Sequence, residues 1–278
     1  VEKPGASHDG LGEVELLDLP ASPQVLARLL EEPPDGQALA AGSVALVAAD
    51  PVVAAWVIAS ATAPAFSRNK TKAPSLQHLL ARLGAEGFHA LVAGMAIRQH
   101  LGVLGSQSGR WLREVRQQAL RRAHLAAALA KACAYPDPDE AYLAGLLLDL
   151  GQMALAVKRP ALEGEMQADA AGGESAREAR PEAGAQLAAE TIRGWGLESF
   201  LSDAVLFHQE AADFLADAHP LIRIVQVAQR LATAASSSSE AIEAGTQLLG
   251  MPAEQLRVLA VRASSDASDR MFGVDTDA

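Results

Sequence analysis

The sequence predicts an all-α protein, and three observations carry the prediction. Half of the 278 residues are hydrophobic but only 4% are aromatic. Ala and Leu, the best helix formers, dominate, while the aromatics typical of sheets are scarce. Helix-start signals precede one apolar run after another. No stretch sustains the alternation of a half-buried strand.

The elements follow in order. Residues 1–13 are polar and Gly-containing and read as a flexible leader. Ser22-Pro23 pairs an N-cap with the residue favoured at the first helical position, and opens "PQVLARLLEE", whose Val25, Leu26, Leu29 and Leu30 are expected on one face. "DGQALAAGSVALVAA" is a second helix, and Asp50-Pro51 starts a third, "PVVAAWVIASA", with Trp56 on its buried side. The loop "APAFSRNKTKAP" precedes "SLQHLLARLG", capped by Ser75 and ended by Gly84. "EGFHALVAGMAIRQHL" is apolar nearly all round, which places it centrally. "GVLGSQSG" (102–109) is the candidate hinge, and a long helix from about Arg110 to Ala134 runs to the stop "YPDPDE". Further helices are "EAYLAGLLLDLGQMALAVKRP", "PEAGAQLAAETIRGWGL" after a charged region (161–180), "LSDAVLFHQEAADF" and "PLIRIVQVAQRLATAA". "SSSS" (236–239) is a linker to two amphipathic helices within 240–264, and 265–278 is expected to be a disordered tail.

Composition narrows the function. A net charge of −11 and a pI near 5.1 argue against general nucleic-acid binding, which needs a basic field. The single cysteine, Cys133, excludes an internal disulfide framework and a multi-thiolate zinc site. "VEKPGASHDG" lacks the apolar core of a signal peptide, and no charge-free apolar run reaches the ~18–20 residues that span a bilayer. The expectation is a cytoplasmic protein with no membrane contact.

Several chemistries have no residues to carry them. There is no phosphate loop, no CxxC and no HExxH. "GSQSG" places Gln107 where a nucleophile elbow needs serine. His78, His89 and His100 recur every eleven residues, but the last two would stand about 16 Å apart along a helix, too far to share a metal. The cluster Arg110, Arg113, Arg116, Arg121 and Arg122 reads as the solvated face of the long helix. Its sharper reading is a docking face for an acidic partner or a phosphate-bearing ligand.

One carboxylate stands out. In "GLLLDLGQMAL" Asp149 lies inside an apolar run bracketed by Gly145 and Gly151, and a buried carboxylate is costly unless it is paired or hydrogen-bonded. The order of motifs around it is informative. "LPASPQVLARLL", "ADPVVAAWVIASATAPAF" and "SLQHLLARLG" carry a Leu-Pro-x-x-Pro opening, an Asp-Pro helix start, a small-residue-then-aromatic loop and an Arg-Leu-Gly helix ending. Together they resemble the N-terminal lobe of the HDOD family, the HD-related output domains of bacterial signalling proteins. "AYLAGLLLDLG" resembles the family's "FLAGLLHDIG", "GAQLAAETIRGWGL" its "GAxLLxxWxLP", and "VLFHQ" and "IVQVAQRLA" its "YHH" and "VHLADRLA" helices. The resemblance covers about residues 16–235. It implies a two-lobed helical HD-like bundle over 14–235, with lobes at about 14–104 and 109–235.

Catalytic relatives in this superfamily are phosphohydrolases that hold one or two metals with a His–Asp pair and further His and Asp residues. Laid against that pattern, the His before Asp149 is Leu148, and the early His of the long helix is Gln118. The distal Asp is Gln229, its neighbouring His is Gln226, and a His before the "GA" segment is Arg180. The second residue of "HH" is Gln209, which leaves Asp149 and His208. Metal-assisted hydrolysis needs several anionic or imidazole ligands with open positions, so the resemblance implies a degenerate relative with no metal or other cofactor and no catalysis. It would act by binding signalling proteins, with cyclic-dinucleotide pathways as the family's usual context. The alternative is a nucleotide or cyclic-dinucleotide sensor contacting phosphates through His208, Arg180 and the arginines at 113–122; a residual metal-dependent phosphodiesterase ranks third. Asp149 is expected to be structural, with its replacement by Ala costing roughly 1–3 kcal/mol.

Overall fold

A computed structural model describes residues 19–31, 41–63, 75–101, 109–158, 174–197, 200–233 and 238–275. The leader 1–13, hinge residues 102–108, the loop at 64–74 and much of 161–180 lie outside these residues. Among the described residues every regular element is helical. The helices are α1 (Pro23–Glu31), α2 (Ala41–Ala48), α3 (Pro51–Thr62), α4 (Leu76–Leu101), α5 (Gly109–Ala132), α6 (Pro138–Leu147), α7 (Leu150–Lys158), α8 (Glu174–Gly194), α9 (Leu201–Phe207), α10 (Pro220–Thr233), α11 (Ser239–Leu249) and α12 (Ala253–Asp275), with a 3-10 turn at Ala212–Leu215.

Local rules place most of the boundaries. The Asp50 carboxylate accepts from the Val52 and Val53 amides at 2.8 and 3.1 Å, capping α3 where Pro51 starts it. Asp137 caps α6 through the Glu140 amide at 3.0 Å. Gly84 has φ 69°, open to glycine, and breaks α4 into two segments. Three expectations change. Leu30 is exposed, because it falls about 140° around the helix from Val25. Trp56 is half-buried, with the Arg98 guanidinium 6.0 Å from its ring centroid. The second half of α4 buries only one face, through Phe88, Val92 and Met95, and leaves Ile97 exposed.

Packing sorts the helices into two groups that share one hydrophobic core. Helices α1–α4 pack on each other, and α5 is the hub of the rest, lying against α6, α10 and α12. The stretch Pro138–Val157 has the length and hydropathy of a membrane span, but 78% of it is buried within the fold. The C-terminal region departs from expectation: α12 continues past Ser264 to Asp275 instead of ending in a disordered tail. Leu256, Ala260, Ala263 and Ala267 form a buried stripe of mostly small residues that lets α12 lie close on α5, so Ser264, Ser265 and Asp266 face outward from a helix.

Candidate functional site

The second helical group closes around the Arg122 side chain, which is fully buried. Its Nε donates to the Gly145 carbonyl at 2.8 Å, Nη1 to Gln229 Oε1 at 2.6 Å and Nη2 to Asp149 Oδ2 at 2.6 Å. One guanidinium from α5 thus holds α6, the α6–α7 turn and α10. The planar fork of arginine suits such a site, because its donors point in fixed directions and its charge is permanent.

The sequence around Asp149 builds this geometry. A Cβ on Gly145 would lie 3.0 Å from both the Ala123 Cα and the Arg122 carbonyl, so glycine lets α6 touch the α5 backbone where Arg122 departs. A Cβ on Gly151 would fall 1.9 Å from the Gly184 carbonyl oxygen, so α7 and α8 also meet backbone to backbone. The two glycines that bracket the apolar run are helix-crossing points. Asp149, between α6 and α7, is held between them.

His208 ends α9 beside this centre. Its Nδ1–H donates to the Val205 carbonyl at 2.7 Å. Burial pushes its pKa down to about 4, and the nearby Arg122 charge adds to the effect, outweighing the Val205 hydrogen bond and Asp149. The ring is therefore neutral near pH 7. Gln226, fully buried one turn before Gln229, donates from Nε2 to the Glu210 carbonyl at 3.3 Å and ties the residues after His208 to α10.

A second node lies on the same α5. Asp50 is fully buried; besides capping α3 it accepts from the Ser22 amide at 2.7 Å, and Arg116 Nε stands 3.2 Å from Oδ2. Arg116 also donates to the Pro20 carbonyl. With Tyr142 Oη donating to the Ala48 carbonyl at 3.0 Å, these contacts join the two helical groups.

The arginine cluster therefore divides. Arg113 and Arg121 are exposed, as a solvated face requires, while Arg116 and Arg122 turn inward to aspartates and are not available as a docking face. Arg180 lies on α8, with its side chain outside the described set. Gln118 is exposed, and the α5 residue that pairs with that carboxylate is Arg122, four positions later. Leu148 is buried apolar surface. The sequence carries a signal for Arg122: it lies three residues after Ala119 and four before Ala126, on the stripe that α5 buries.

The comparisons with known proteins fit this architecture. A profile of the HDOD domain matches residues 19–211. The chain belongs to the HDOD family. Among solved structures, the MmoQ response regulator of Methylococcus capsulatus matches with a TM-score of 0.68 at 21% identity, covering 87% of this chain and 97% of that one. A Campylobacter jejuni virulence factor matches with a TM-score of 0.63 at 14% identity, covering 91% and 95%. No curated protein sequence matches significantly. At these identities the structural likeness concerns the fold.

The metal centre of the catalytic HD relatives can be tested against these residues, and they do not fit it. A divalent cation at Asp149 would share the carboxylate with a guanidinium 2.6 Å away, a repulsive contact between like charges. The remaining positions offer Leu148, the imidazole of His208, whose Nδ1 is bonded to the Val205 carbonyl, and the amides of Gln226 and Gln229, the latter already bonded to Arg122. Among the described residues, no three His, Cys, Asp or Glu side chains converge as a ligand set.

Proposed function

We propose that this HDOD protein is a non-catalytic signal-transduction module that works by binding other proteins. The observation that carries the proposal is the Arg122 guanidinium, fixed 2.6 Å from Asp149 and bonded to Gln229. It supplies from within the chain a positive charge at the carboxylate where a catalytic relative would hold metal. The family membership and the description of the Methylococcus capsulatus neighbour as a response regulator support a signalling role. The geometry favours this reading over a nucleotide sensor, since Arg116 and Arg122 are bonded to aspartates and His208 to Val205.

Metal analysis of protein purified without chelator, paired with hydrolysis assays on bis-p-nitrophenyl phosphate and cyclic dinucleotides in Mn²⁺, Mg²⁺ or Fe²⁺, tests the proposal. The expected result is far less than one equivalent of metal and no turnover above the metal-only blank. A stoichiometric transition metal accompanied by metal-dependent turnover would overturn it.

A further inference from the structure

Directly outside the Arg122 centre, the chain from Phe200 to His219 shows an unusual surface. Phe214 is 81% exposed, Phe200 45% and Phe207 39%. Phenylalanine is normally buried, and exposed aromatics grouped within a polar rim mark interaction sites more often than scattered apolar residues do. Phe200 and Phe207 flank α9, seven residues apart, so two helical turns bring them to one side. Phe214 follows on the 3-10 turn, after the Glu210 amide has closed on the Phe207 carbonyl at 3.1 Å. Phe200 is held in place by stacking on His219, centroids 3.7 Å apart.

The stretch itself carries one sign of fixed charge. Residues 200–219 contain Asp203, Glu210, Asp213 and Asp217 and no Lys or Arg. Glu210, Asp213 and Asp217 are exposed. The one described cation paired into this stretch is Arg193, 3.9 Å from Asp203. An acidic rim repels nucleic acid and anionic lipid alike, and the chain's net charge of −11 disfavours a second copy on it. It complements a protein segment in which Lys or Arg flank apolar anchors.

We propose that the Phe200–Phe207–Phe214 face is the docking surface of this module, and that its partner is a basic amphipathic protein segment. This rests on the binding-module reading and names its surface. The aromatic side chains anchor, as aromatics do at interface centres, and the carboxylates set orientation and encounter rate. The surface is built on the Arg122 centre: His208 follows Phe207, and Gln226 holds the Glu210 carbonyl.

A random 16-residue peptide library displayed on phage and selected against the full chain tests this. The expected enrichment is of peptides with Lys or Arg around one or two apolar residues. Their affinity should fall at least about tenfold with Phe214→Ser, a change at an exposed site that leaves melting unchanged. It should fall several-fold with Glu210→Gln/Asp217→Asn, and with rising salt. Enriched peptides indifferent to both variants would overturn the surface while leaving the binding-module reading intact. Acidic or neutral consensus peptides, or no enrichment, would overturn the partner class. A dimer by light scattering that Phe214→Ser converts to monomer would assign the face to self-association and overturn the proposal, whereas metal-dependent turnover in the separate assay would bring down the parent reading.

Discussion

Helix α5 makes two arginine–aspartate nodes, and they are built in opposite ways. At the first, the acid is the hub. Asp50 is wholly enclosed, takes three backbone amides from two segments, and Arg116 closes it from a side chain that keeps 14% of its exposure. At the second, the base is the hub. Arg122 keeps 1% and reaches three acceptors, while Asp149 keeps 13%. An aspartate hub suits a place where several backbone N–H groups need an acceptor, as at a helix start. An arginine hub suits a place where carbonyl, amide and carboxylate oxygens converge with no donor between them. Here the Arg122 guanidinium supplies all three donors that these oxygens need.

The difference shows most when each aspartate is removed. Asp149→Ala strands a fully buried guanidinium beside two neutral acceptors, and breaking a buried pair in that way costs about 3–5 kcal/mol. That exceeds the roughly 1–3 kcal/mol expected when Asp149 is considered without its partner. Asp50→Ala removes a cap and orphans the Ser22 amide but leaves Arg116 within reach of water, for a loss of about 2–3 kcal/mol. Urea denaturation of the two variants measures both. The Arg122→Ala/Asp149→Ala double variant should recover about 2 kcal/mol relative to the sum of the singles. Strict additivity there, or a larger loss at Asp50, would show that the hubs are assigned the wrong way round.

The contrast also explains what the sequence could and could not disclose. Asp50 was legible because Asp-Pro at the head of an apolar run is a local signal with a local mechanism. The same holds for the Gly84 break and for the all-helical class. Asp149 was legible as an anomaly, yet its partner was not. The pairing of Arg122 with Asp149 spans 27 residues and depends on where α5 and α6 cross, so neither periodicity nor family pattern names it. The family pattern points to Gln118 on α5, and it carries no information about an arginine that pairs with Asp149. The end of α12 was missed for a related reason: polar residues on its outer face hide an Ala stripe whose meaning depends on α5 lying beneath it.

Acid should sharpen the difference between the nodes, because among the described residues only the second has a buried histidine. His208 is held at about 4 against an ordinary 6.5, so the unfolded chain takes up a proton in this interval that the fold refuses. The sign follows: the contribution is fully present above pH 6.5 and is lost as pH falls towards 4, by up to about 3 kcal/mol. Urea midpoints at pH 7.5 and 4.5 should therefore converge in His208→Gln relative to the parent chain. An unchanged pH slope in that variant would place the acid sensitivity elsewhere.

The smallest expected effect comes from the neighbour of the most consequential residue. Arg121 and Arg122 are adjacent and chemically identical, and the 100° step between consecutive helical residues sends one to solvent and the other to the centre of the fold. Arg121→Ala removes an exposed charge whose loss water compensates, so stability should change by no more than about 0.5 kcal/mol, and Arg113→Ala should behave alike. If the basic cluster were one cooperative surface, these two would resemble Arg122→Ala. Thermal melts of the three alanine variants side by side decide it: a loss above about 2 kcal/mol at Arg121 would mean that the helix is rotated from the orientation that puts Arg122 on Asp149, and both hubs would fall with it.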